Sequence, residues 1–178
     1  MRRKITLALL ILACFLLQCS VFCFFEIASV VPNILLILTI SFGFMQGKKE
    51  GLLVGFFSGL LIDLFYGIGS VLGVYALIYM YLGFFSGFFC KVYFDEDVKV
   101  PMVMIAGSDL IYNTAVYLFL FLLRGKLNYF AYLRSVVLPE LVYTVLVTIV
   151  LYRIFYRINK YLVKKEARGK MALWLRNY

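Results

Sequence analysis

The sequence predicts an all-α integral membrane protein, a single bundle of six transmembrane helices. Three observations predict it. Of 178 residues, 65% are hydrophobic, and mean hydropathy is +0.98; soluble domains are closer to half apolar. Stretches 5–25, 27–47 and 64–90 carry no charge, and a spanning helix needs roughly 20 apolar residues to cross about 30 Å of hydrocarbon. The 18 basic residues collect at the flanks of the apolar runs, eight of them between Arg153 and Arg176. Basic flanks fix orientation and meet anionic lipid, so this distribution argues against nucleic acid as the partner of the positive charge.

The first span covers 5–25. Its start, MRRKITLALL, imitates a secretory signal, but the apolar run is long enough to span and no small-residue cleavage pattern closes it. An uncleaved helix is expected. The second span, 32–47, opens on Pro32, which suits a helix's first turn because its missing N–H has no partner there anyway. The third, 51–66, follows the charged turn Lys48-Lys49-Glu50. Gly67-Ile68-Gly69-Ser70 reads as a turn and separates it from the fourth, 71–90. The fifth covers 100–123 and the sixth 135–152. Residues 153–178 form a basic amphipathic tail. With the N-terminus inside, Arg2, Arg3, Lys4, Lys48, Lys49, Lys91, Lys99 and the tail's eight basic residues are cytoplasmic, leaving Arg124, Lys126 and Arg134 outside. Both termini are then cytoplasmic.

Gly51, Gly55 and Gly59 recur at a spacing of four, and Asp63 is next in the series. This spacing lays a flat stripe along one helix face. In lipid, small residues let backbones approach, and close packing drives association. Gly83 and Gly87 form a second such pair, and Gly73 precedes them. These glycines mark either internal packing or a docking face for another protein's helix.

Polar residues inside the bilayer cost on the order of 3 kcal/mol at mid-depth when charged, so they face the protein interior. Pro32, Asn33, Asp63, Asp109, Asn113 and Glu140 form this set. Asn113 lies one turn from Asp109, and Glu140 follows Pro139. Arg124, Lys126 and Arg134 are expected at the outer surface, where pairing with Glu140 or Asp63 is possible. The acids suit a polar cluster that locks the bundle, an ion or proton pathway, or a contact with a partner helix. The chain has no histidine, no CxxC, no P-loop and no dinucleotide fingerprint. No catalytic residue, metal site or cofactor is expected. In the tail, Arg153, Arg157, Lys160 and Lys164 share one helix face, with Ile154, Ile158, Tyr161 and Leu162 on the other. This is the pattern of a helix lying on anionic lipid, or of one touching a cytoplasmic protein.

One stretch has a more specific likeness. Pro32-Asn33 followed by ILLILTISFGF, a charged turn, then GLLVGFFSGLLIDLFYGIGSVLGVYAL, with Gly55, Gly59-Leu60-Leu61, Asp63, Gly73 and Ala76, resembles the rod shape-determining protein MreD family. The resemblance covers residues 32 to about 77. It implies a non-enzymatic scaffold of cell-wall elongation in the bacterial inner membrane. Its implied partners are an MreC-like bitopic protein, MreB filaments, and the elongation polymerase and transpeptidase. It also implies a fold similar to the substrate-binding subunits of energy-coupling-factor transporters, which makes such a subunit the alternative. Against that alternative, Ala8 and Ala13 lack the small-residue spacing those subunits use in their first helix.

Overall fold

A computed structural model describes residues 2–24, 31–66, 73–91, 99–121 and 132–176. Among them there are helices and no strands. They are α1 (Arg2–Phe24), α2 (Ile34–Gln46), α3 (Lys48–Tyr66), α4 (Val74–Ser86), α5 (Lys99–Val116) and α6 (Leu138–Arg176). A 3₁₀ turn, Phe89–Lys91, follows α4. Wider π turns extend α5 over Tyr117–Phe121 and precede α6 over Leu133–Val137. The expected turn at 67–70, the basic residues Arg124 and Lys126, and the last two residues of the expected fifth span lie outside the described residues.

α2 is the centre. It is uncharged, apolar on every side and buried from Ile34 to Phe44. A helix apolar all round has no face to present to water and belongs in an interior. All five other helices pack on it. Asn33 caps its start, its side chain accepting the Leu36 N–H at 3.2 Å. Pro32 therefore sits before the cap, not in the first turn. Gly47 ends the helix at φ 94, and its N–H donates to the Gly43 carbonyl at 2.8 Å. This left-handed conformation favours glycine. Gly47 alone separates α2 from α3, so Lys48, Lys49 and Glu50 form the first turn of α3 instead of the expected loop.

α3 and α4 form the closest helix pair. α4 is shorter than the expected fourth span and stops at Ser86. Lys99–Phe119 and Leu133–Lys165 are long and apolar enough to cross a membrane. Lys4–Ser20, Ile34–Gln46 and Val74–Ser86 are shorter apolar helices.

The sixth helix continues past the expected end of its span at 152, as the helical spacing of the basic tail predicts. It runs unbroken to Arg176, 39 residues from Leu138, about 58 Å at 1.5 Å per residue. Tyr152, Phe155, Asn159 and Leu162 are buried along one face. Phe155 meets Phe42 with ring centroids 6.2 Å apart. Asn159 accepts from the side-chain amide of Gln46. The start of the expected tail is thus part of the packed body. Its apolar side differs from the one expected, because Ile154 and Tyr161 are exposed. Arg153, Arg157, Lys160 and Lys164 are exposed as a basic face.

This arrangement predicts where the chain tolerates truncation. Removal of residues 163–178 should leave the detergent melting temperature nearly unchanged. Removal of 153–178 should lower it, because the Phe42 and Gln46 contacts go with it. Thermal melts read by size-exclusion profile check both.

Candidate functional site: the glycine seam and the buried polar network

α3 and α4 run antiparallel with their backbones touching. A Cβ placed on Gly51 would strike the Gly83 carbonyl, and one on Gly55 would strike the Tyr79 carbonyl. On Gly59 it would lie 2.5 Å from the Ala76 Cα. The reciprocal clash holds at Gly83 with the Gly51 carbonyl, and at Gly87 with the Lys48 backbone. The register is regular: 51 faces 83, 55 faces 79, and 59 faces 75 and 76. A row of one glycine per turn lets a partner backbone lie in contact along its length. That partner is α4 of the same chain, so the seam is filled from within. Gly73 has a different role from the packing one expected. A Cβ there would meet nothing within 4 Å; its φ of 104 turns the chain into α4.

Asp63 stands at the end of this register, just past the start of α4. The α4 cap residue is Gly73, which has no side chain to satisfy the first N–H groups. Asp63 does so from α3. Its Oδ1 accepts the Tyr75 N–H at 3.3 Å and its Oδ2 the Ala76 N–H at 2.8 Å. The first N–H groups of a helix lack intrahelical partners, and a carboxylate there also meets the positive end of the helix dipole. Its partners among the described residues are therefore the backbone N–H groups that open α4. Arg134 is exposed.

A second network joins α2, α4, α5 and α6. The Tyr79 hydroxyl donates to Asn33 Oδ1 at 2.6 Å. The Asn33 N–H donates to Thr144 Oγ1 at 3.3 Å. Tyr112 packs edge-on against Tyr79 at 5.4 Å and beside Tyr75 at 6.2 Å. On α5, Pro101, Ile105, Asp109, Asn113 and Val116 form the buried stripe. Asn113 donates to the Asp109 carbonyl at 3.1 Å, and the Glu140 side chain lies near it. Both Asp109 carboxyl oxygens are buried and accept no hydrogen bond from the described residues. Asn33, Asp109, Asn113 and Glu140 thus converge. Asp63 belongs to the seam, and Pro32 only precedes the α2 cap.

Sequence reasoning missed Tyr79, Tyr112, Thr144 and the Gln46–Asn159 pair. A signal for Tyr79 was present: Tyr75, Tyr79, Gly83 and Gly87 repeat at the spacing of Gly51, Gly55, Gly59 and Asp63. Among the described residues no group of three or more His, Cys, Asp or Glu side chains gathers as metal ligands do.

The family model for rod shape-determining protein MreD matches residues 1–162 of the chain. The chain belongs to the MreD family. No curated protein and no solved structure matches it. MreD proteins are bacterial membrane proteins of shape determination, and membership supports a role in rod shape and its complex. The MreD match ends at Leu162, the last buried side chain described in α6. The likeness first seen over residues 32 to about 77 corresponds to α2, the α3–α4 seam and the Asp63 cap.

Two outcomes follow. Asp63→Leu should lose about 1–2 kcal/mol of stability, the usual range for a helix cap, and speed hydrogen exchange at Tyr75 and Ala76; Asp63→Asn, which keeps one acceptor oxygen, should lose less. Tyr79→Phe should cost about 1 kcal/mol, the net worth of one buried hydrogen bond, whereas Gly55→Leu should prevent α3 and α4 from closing and abolish a folded species in detergent. Melting curves across the set should keep that order.

Proposed function

We propose that this MreD-family chain is a non-enzymatic scaffold of cell-wall elongation, held in the bacterial inner membrane by six spans with both termini cytoplasmic. It acts with an MreC-like bitopic protein and organises the elongation polymerase, its transpeptidase and MreB filaments for lateral peptidoglycan synthesis. The family match over residues 1–162 carries this reading. It favours shape determination over a transporter's substrate-binding subunit.

The physical arrangement supports the reading. Short α2 and α4 are tolerated in a bilayer because neighbours shield them, and α2 meets every other helix. The interior is closed by backbone contact and cross-helix hydrogen bonds, leaving helix exteriors for partners. α6 is about twice as long as the hydrocarbon is thick. Its exposed basic residues Arg153, Arg157, Lys160 and Lys164 lie at and beyond the cytoplasmic edge of the bundle, where anionic lipid attracts basic side chains.

Gentle-detergent purification of the tagged chain from its own cells, with mass spectrometry of what accompanies it, tests the proposal. An MreC-like protein and wall-synthesis enzymes are expected. A coupling membrane protein with two ATPases would overturn the scaffold reading. In a strain lacking the native gene, Gly55→Leu should fail to restore rod shape.

A further inference from the structure

α5 is held to the bundle by one narrow stripe. Pro101, Ile105, Asp109, Asn113 and Val116 are buried along it, and α5 packs on α2, α4 and α6. Its other sides are exposed at Val103, Leu110 and Ile111. It has no backbone contact like that between α3 and α4: a Cβ on Gly107 would meet nothing within 4 Å. Asp109, the middle residue of the stripe, is wholly enclosed. The hold of α5 on its neighbours therefore depends on the state of this carboxyl.

The surroundings of Asp109 offer a negative charge no balance. Both carboxyl oxygens are sealed from water and accept no hydrogen bond from the described residues. The Tyr79 hydroxyl is spent on Asn33, and the Asn113 amide turns to the Asp109 main-chain carbonyl. Tyr79 lies near Asp109 from α4, Tyr112 from α5 itself and Glu140 from α6. Tyr75 of α4 packs on Tyr112. α2 carries no ionisable side chain. The titratable groups around Asp109 among the described residues are thus acidic or phenolic, with no cation among them. An ionised carboxylate enclosed in this way is costly, and a second acid nearby adds repulsion. A cation with its water shell has no surface of either oxygen to meet in this packing. A proton needs no room.

We propose that Asp109 is a proton-binding site, neutral while α5 is packed, and that Glu140 passes its proton to and from the surface. Glu140 suits this task because it lies near Asp109 yet is partly exposed. Once Glu140 has given its own proton to water, the Asp109 O–H bond breaks as a Glu140 O–H bond forms. The negative charge then moves inward onto Asp109. An enclosed charge requires water or a partner, and α5 opens along its stripe to admit water. The bound proton therefore locks α5 onto α2, α4 and α6. This site lies in the bundle interior and stands independently of the scaffold role.

The full chain, carrying heavy carbon at its aspartate side-chain carboxyls, is read by infrared spectroscopy in an ester-free detergent at neutral pH. A protonated-carboxyl band that shifts with the label should appear, and Asp109→Asn should lack it. Asp63, which accepts two N–H groups, should contribute none, so Asp63→Asn should keep the band. In heavy water the band should move, and Glu140→Gln should slow that exchange about tenfold. As rising pH removes the band, the wild-type melting temperature should fall, because the folded chain must then enclose a charge. Asp109→Asn should lack that part of the fall. No labelled protonated band in wild type overturns the proposal, as does a band that survives in Asp109→Asn. Exchange unchanged in Glu140→Gln overturns the part given to Glu140. Equal pH dependence of the two melting curves overturns the lock. Should Asp109→Asn not fold, wild type decides: absence of the band, or a melting temperature that holds as the band is lost, overturns the site.

Discussion

Direct backbone contact between α3 and α4 is the constraint from which the rest of the bundle follows. In lipid, apolar side chains gain little by leaving their surroundings, so association depends on how closely atoms pack. One glycine per turn brings two backbones together along four turns. The register that results ends with Asp63 level with the first N–H groups of α4. The carboxylate takes over the capping that Gly73 cannot perform, and both needs are met by one helix pairing. The glycines and the acid are thus two parts of one device.

The second organising feature is α2. A helix without a polar stripe has to be enclosed, and the other helices enclose it. Its ends are where specificity enters. Asn33 caps the helix, accepts from Tyr79 and donates its N–H to Thr144, tying the start of α2 to α4 and α6. Gln46 and Asn159 tie its other end to α6. Hydrogen bonds at both ends fix depth and rotation, which apolar packing alone leaves loosely defined. Asp109 differs from the other polar groups. It is buried beside this network with no described donor, and an unpaired buried carboxyl costs free energy unless its surroundings compensate.

These closed contacts bear on function. The small-residue face that would admit a foreign helix is already occupied, and the outward surfaces are bulky and apolar or, on α6, basic. A scaffold built this way presents a rigid body whose exterior is free for proteins and lipid.

Class and location were legible in the sequence, because uncharged runs of 20 residues or more have few stable homes outside a bilayer. Residues that act locally were legible too. Asn33 starts a helix wherever that helix goes, and a spacing of four makes a flat face whatever fills it. The partner of that face was not legible. Small residues define where a neighbour fits but not which neighbour, and α4 was identified only by the three-dimensional pairing. The partners of Asp63 were hidden because backbone N–H groups carry no side-chain signature. The packing of residues 155–162 against α2 was not legible, because charge marks where lipid contact stops, not where helix packing stops. The sequence by itself determined a helical membrane protein, its family likeness and its close-packing face. Only the tertiary structure decided which helices meet, since that choice rests on contacts between residues far apart in the chain.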